Sequence, residues 1–506
     1  MTLVIEDCKL WGRKGGSLVV EEGRIAAFVE GGTPKVRSDA TRISGNGGTV
    51  FMGFIDTHCH PFEYGWLRRN LDLKGTSNLT GIRLRLSARA RSTLPGAWIA
   101  GMGWDQERLS EARMPTRSDI DDVTPNNPVV LTRVCGHIGL LNSRALQEMA
   151  NAAVGLEGYD LDSRGTPTGI VRESALPPVL AVLPKSEAAM TSDLLTAEVE
   201  ASKSGLTTLH CIISEAAYQE ELSALVGLHS SGSLSLKYKV YIPAAAIGYV
   251  EDRRIRDRLN DDKVRLSGVK IYADGSLGAR TAALREPYAD DPGNSGLLRY
   301  SQDALNQAVE AAHDAGFQAV VHAIGDRAVE QALEAISRVS GPGNERRHRI
   351  EHASLLPPDL LSRMRKHAVR ATVQPLFITS DTWASERLGP ERARHLYPLR
   401  SMLKAGIIAS GSSDSPIESM SPILGMWASM VRSGVAPEEA LSMSEAVALY
   451  TSNARSNGGD PEEEGLGARA DLCLLDSDVE GMHPALLRKV RVSATVVGGE
   501  PVYSAS

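Results

Sequence analysis

Phe51-Met52-Gly53-Phe54-Ile55-Asp56-Thr57-His58-Cys59-His60 is an apolar run that ends in two histidines separated by one residue. Side chains at i and i+2 of a strand share a face. A strand here therefore sets both imidazoles side by side at its end and makes half of a metal site. Cys59 falls on the opposite face and reads as a packing residue.

Outward from this stretch, the chain from about residue 200 alternates strand-like and helix-like patterns. Strand-like runs cover 206–210, 236–241, 266–272, 319–322, 349–352, 370–374 and 407–411. Between them, Ala304, Leu305, Ala308, Val309 and Ala312 recur at helical spacing before Gly316, and Ala328, Val329, Ala332, Leu333 and Ile336 repeat the pattern. With the strand before His58 the count is eight, which predicts a (β/α)8 barrel. An open doubly wound sheet is the alternative, but no Gly-rich phosphate loop follows a first strand. The N-terminal strands, broken by Gly pairs, match in texture the strands near 471–475 and 490–497, so one β-sandwich domain is expected from both termini, residues 1–50 plus 460–506. The barrel is expected over 51–60 plus 191–459, with 61–190 as an insertion over its mouth.

The bulk numbers exclude several classes. The 506 residues exceed one ordinary core. A net charge of −7 offers no handle for nucleic acid or an anionic membrane. No run approaches the roughly 18 apolar residues of a membrane span, and the start of the chain lacks the basic and apolar regions of a signal peptide. Five scattered cysteines argue for a reducing, cytoplasmic setting. The expected partner is a small-molecule substrate, with no nucleic acid and no membrane; a homodimer is compatible with the chain.

Barrel chemistry sits at the carboxyl ends of the strands. Those ends offer His58 and His60 from the first strand, Lys270 from the fourth, His322 from the fifth, His352 from the sixth and Asp414 after the eighth. Each alone has a bland explanation: a hydrogen-bonded histidine, a salt-bridged lysine, a helix-capping aspartate. Together, nitrogen and oxygen donors on one barrel rim suit zinc or a similar cation. In the insertion, Trp104 is expected to pack, while Asp105 and His137 are expected to contact substrate. Arg280, in a Gly-rich loop after the lysine strand, either reaches an anionic group or pairs with an acid, and is expected with Asp105 and His137 among the substrate contacts. The run 462–464 of glutamates reads as a solvated loop.

These stretches resemble the amidohydrolase superfamily, and within it the YtcJ-like branch that includes N-substituted formamide deformylases. The resemblance rests on Gly53–His60, Gly101-Met102-Gly103-Trp104-Asp105, Gly136-His137-Ile138-Gly139-Leu140-Leu141-Asn142-Ser143, the 268–280 run around Lys270, Val321-His322-Ala323-Ile324-Gly325-Asp326, Glu351-His352-Ala353 and Gly411-Ser412-Ser413-Asp414-Ser415-Pro416. It departs at His210-Cys211, where many relatives carry His-Asp. The resemblance implies a metal-dependent hydrolase cleaving an amide, formamide or carbamate-like C–N bond by metal-activated hydroxide. It implies one or two Zn²⁺ or other divalent ions. His58, His60 and Asp414 would hold the more buried ion, and carboxylated Lys270, His322 and His352 would complete a second position. Asp414 is the expected proton carrier. A lyase or isomerase using the same centre, and a non-catalytic scaffold that kept the barrel, are the competing classes.

Overall fold

In the computed structural model every residue is described except Met1, Thr33, Lys35, Arg37, Ala153, Val154, Leu156, Pro184, Lys185, residues 461–464 and Ser506. The acidic run at 462–464 thus lies outside the described residues. Eight parallel strands form the central sheet: β1 Ile55–Cys59, β2 Thr208–Ile212, β3 Lys237–Pro243, β4 Val264–Tyr272, β5 Gln318–Ala323, β6 Arg349–His352, β7 Arg370–Val373 and β8 Ala409–Gly411. Each pairs with the next in chain order. The ring is nearly closed between β8 and β1. There Thr57 Oγ1 donates to the Gly411 carbonyl at 2.9 Å, the Asp414 N–H donates to His58 O at 2.9 Å and the His60 N–H to Ser415 O at 2.7 Å. The (β/α)8 barrel is therefore present.

The helical spacings translate directly. The first becomes helix Gln302–Asp314, whose N-terminus is capped by Ser301 Oγ accepting from Ala304 N, and whose chain exits through Gly316 at φ +79°. The second becomes Asp326–Val339, which buries Ala328, Val329, Ala332, Leu333 and Ile336 against the barrel. Burial of such a leucine or isoleucine contributes about 1.5–3 kcal/mol, so Leu333→Ala would cost about 2–5 kcal/mol once the cavity left behind is included.

Strand β2 begins two residues later than the sequence suggests. Gly205 makes a turn at φ +83° and lies so close to the terminal sheet that a Cβ there would sit 2.5 Å from Cys473 Sγ. The turn delays the strand and sets the barrel against the second sheet. That sheet has seven strands in the order Glu500–Ser504, Val492–Val497, Leu472–Leu475, Thr41–Met52, Thr2–Leu10, Gly15–Glu21, Arg24–Glu30, and so joins both termini as the β-sandwich domain. Phe51 pairs with Cys473 across it, and the strand carrying Phe51 leads straight into β1.

Between β1 and β2 lies a third, six-stranded sheet that includes Ile99–Trp104, Val129–Arg133, Ile138–Leu141 and Pro167–Arg172. Gly103 and Arg133 from its strands, with Asp105 and His137 beside them, reach the barrel mouth. No helix among the described residues is long and apolar enough to cross a membrane.

Candidate metal centre

The interior of a barrel is ordinarily filled by branched apolar side chains. Here it carries a buried polar column instead. Arg349 and Glu351, at i and i+2 of β6, face inward together and are fully buried. Arg349 Nε donates to Glu351 Oε1 at 2.5 Å, its Nη2 donates to Thr57 O at 3.0 Å and its Nη1 to Tyr241 Oη at 3.0 Å. The other oxygen, Glu351 Oε2, receives a short hydrogen bond from His58 Nδ1. Burial raises the Glu351 pKa, but the Arg349 charge and the hydrogen bond from His58 outweigh it and hold the carboxyl well below its usual range. A buried pair like this is tolerable only because every charged atom finds a partner.

The column ends at the six expected donors. His58 Nε2 and His60 Nε2 each lie 3.2 Å from Asp414 Oδ1, and one donor atom from each of these three residues lies within 4.8 Å of the others. Lys270 Nζ is 3.3 Å from His58 Nε2. The His352 ring is 5.2 Å from His58 and 4.5 Å from His322. Strands β1, β4, β5, β6 and the turn after β8 therefore bring together all six side chains.

Their neighbours fix the tautomers. A carboxylate oxygen on His58 Nδ1 requires a proton there and leaves the Nε2 lone pair free. His352 Nδ1 faces Gln374 Oε1 at 2.7 Å, and Gln374 spends its amide N–H on Ser412 Oγ, so His352 Nδ1 carries the proton. His322 Nε2 donates to the Gly275 carbonyl at 3.0 Å, with Asp274 Oδ1 at 3.4 Å, leaving Nδ1 as the acceptor. Outer partners that orient rings in this way are what metal-ligating histidines require. Burial, the Lys270 charge and the neighbouring rings keep His322 well below its ordinary pKa and His352 at about 3, so both rings are neutral. His60 departs from this pattern: among the described residues its buried Nδ1 has no hydrogen-bond partner, with Glu63 Oε1 at 3.8 Å. Burial also pushes Lys270 down to about 8, against the pull of Glu351 and Asp414. Asp414 is held ionised, far below the carboxylate range, because His58 and His60 outweigh its burial. This donor chemistry fits a divalent cation.

A cavity of about 300 Å³ opens beside the donors, lined by His322, His352 and Asp414 below and by insertion residues above. His137 and Asp105 both line it. His137 sits 6.4 Å from the His322 ring and donates through Nδ1 to Glu173 Oε2 at 3.1 Å. Asp105 Oδ1 accepts from Arg133 Nη2 at 2.6 Å. Arg280 is placed elsewhere. Its guanidinium pairs with Asp290 at 2.7 Å and does not line the cavity. The acid partner wins because it lies on the same surface loop. Trp104 packs as expected, fully buried with Nε1 donating to Leu131 O at 2.7 Å. His210 stays below the donors, 3.2 Å from Tyr241 Oη, and Cys211 is buried in the apolar layer outside the barrel strands, so neither reaches the cluster.

Residues missed from the sequence include Glu351, Arg349, Asp274, Gln374 and Glu173. Glu351 and Asp274 stood within the quoted motifs. The available signal was i, i+2 spacing: Glu351 shares a face with Arg349 as His58 does with His60.

A family model described as the amidohydrolase family matches residues 43–503. The chain belongs to this family. This amidohydrolase is 30% identical to the putative amidohydrolase YtcJ of Bacillus subtilis, over 92% of this chain and 91% of that one. It is 26% identical to the N-substituted formamide deformylase of Arthrobacter pascens, over 96% and 94%. Among solved structures, an uncharacterized metal-dependent hydrolase from Pyrococcus furiosus superposes with a TM-score of 0.75 at 30% identity, covering 94% of this chain and 99% of that one. The amidohydrolase is a metal-dependent hydrolase.

Proposed function

We propose that this chain hydrolyses the C–N bond of a small N-substituted formamide, amide or carbamate-like substrate. The observation that carries the reading is the meeting of His58, His60 and Asp414 with Lys270, His322 and His352 at the floor of one cavity. His58, His60 and Asp414 would hold one divalent cation, and Lys270, His322 and His352 would hold a second; nitrogen and oxygen donors favour zinc. When bound, such an ion polarises a carbonyl and lowers the pKa of water to about 7.

The protein's own groups account for the remaining chemistry. Asp414 is ionised and faces the cavity, placed to take a proton and return it to the leaving nitrogen. Lys270 is buried with its pKa lowered to about 8, so about a tenth is neutral amine at pH 7 and more as pH rises. That amine can add carbon dioxide: a C–N bond forms, one proton is released, and the lysine becomes an anionic oxygen donor. Leu277, Ile324, Phe377 and Trp383 give the cavity an apolar wall, which suits a substrate with an apolar body around a single polar group. The five free cysteines fit a cytoplasmic setting.

The test is turnover of N-formyl, N-acyl and cyclic amide libraries by zinc-loaded protein in ¹⁸O water. One solvent oxygen incorporated per product supports the reading; product formed without solvent oxygen would move the protein to the lyase or isomerase class.

A further inference from the structure

The insertion supplies one cation whose contacts point at the site from outside it. Lys74 follows the short strand Leu71–Asp72 and lines the cavity. Its Nζ donates a short hydrogen bond to the Pro416 carbonyl and another, at 2.9 Å, to Ile417 O. Those carbonyls lie two and three residues beyond Asp414. Asp414 itself stands at φ +54°, a left-handed backbone that costs a non-glycine residue about 1–3 kcal/mol and persists only where its surroundings over-determine it. On the barrel side the turn is held by the Asp414 N–H on His58 O at 2.9 Å and by the His60 N–H on Ser415 O at 2.7 Å. Among the described residues, Lys74 is the side chain from the insertion that ties down its other side.

The Gly101-Met102-Gly103 part of the sequence motif now has a physical reason. A Cβ on Gly101 would sit 2.8 Å from Leu71 O, and one on Gly103 would sit 2.7 Å from both Lys74 N and Lys74 Cγ. Gly103 also has φ +107°. These two glycines let the Lys74 segment lie flat against the neighbouring strand, and so fix where its ammonium reaches.

We infer that Lys74 is a positioning residue for Asp414: the insertion locks the turn that aims this carboxylate at the cation. The inference rests on the metal-binding reading of His58, His60 and Asp414. A ligand whose supporting contacts are removed typically loses about 10–100-fold in metal affinity. A lysine that touched only substrate would leave that affinity unchanged.

The experiment is Zn²⁺ affinity by competition with a chromophoric chelator on the full-length chain, with thermal melts of the same samples. Lys74→Met should weaken Zn²⁺ binding about 10–100-fold. Lys74→Arg, which keeps donors for both carbonyls, should stay within a few-fold of wild type. Should the methionine variant not fold, Lys74→Gln carries the same test, with one donor group kept and an intermediate loss expected. Zn²⁺ affinity equal to wild type in a folded Lys74→Met or Lys74→Gln protein overturns the inference while leaving the metal centre standing. Wild-type protein that takes up no Zn²⁺ overturns the metal reading and this inference with it.

Discussion

Glu351 Oε2 meets His58 Nδ1 in the closed interior of the barrel, and neither side chain is exposed to solvent. The contact links a charge pair at the barrel centre to a donor nitrogen at its mouth. Glu351→Gln leaves one acceptor oxygen where His58 Nδ1 and Arg349 Nε each use their own, so one of the two donors meets an amide N–H instead, and Arg349 loses its carboxylate charge. Metal affinity should fall about 10–100-fold, and stability should fall by about 3–5 kcal/mol because a buried cation loses its partner. Chelator competition and denaturant unfolding check the two effects separately.

Asp414→Asn keeps the volume of the side chain and should leave the fold intact. Turnover should drop by about 10²–10⁴, the usual contribution of a placed proton carrier. Steady-state kinetics on metal-analysed protein decide it: near-normal turnover with metal bound would remove Asp414 from the mechanism.

His137 provides a pH signature. Burial lowers its pKa, but the hydrogen bond and charge of Glu173 outweigh that and raise it to about 9. A raised histidine contributes stability that is fully present below its unfolded pKa of about 6.5 and is lost as pH rises through the folded value. Stability should therefore decline between about pH 6.5 and 9 through this group, and Glu173→Gln should flatten that slope. Histidine side-chain NMR across this range should show the His137 ring still charged at pH 7.5; a ring neutral by pH 7 contradicts the pairing.

Arg280→Ala should leave kcat/KM unchanged, because the guanidinium pairs with Asp290 outside the cavity. Loss of this partly exposed pair should cost no more than about 1 kcal/mol. A tenfold or greater loss in kcat/KM would return Arg280 to the substrate site.

Lys270 carboxylation is visible without a substrate. Protein equilibrated with ¹³C-bicarbonate and zinc should show a carbamate carbon signal that disappears in Lys270→Met. A spectrum identical for the two proteins would leave Lys270 as a plain amine.

His58 and His60 were legible in the sequence because a period of two is a local property of a strand. Gln302–Asp314 and Asp326–Val339 were legible because apolar residues at helical spacing mark the buried face. The eight barrel strands followed from alternation alone; β2 and β8 each begin two residues later than the alternation suggests, β2 where Gly205 abuts a sheet more than 250 residues away in sequence. Arg280 shows the limit: a guanidinium in a glycine-rich loop had two partners within chemical reason, and only the folded loop showed that Asp290 takes it.

The order of elements, and the donors at their ends, were set by the sequence, because strand and helix periodicity is written in neighbouring residues. What those donors do was decided by tertiary structure. Glu351 orients His58 across 293 positions, Gln374 orients His352 across 22, and Lys74 reaches the turn of Asp414 across more than 340. Hydrogen bonds and burial depend on distance in space, and no local pattern encodes which remote side chain will arrive.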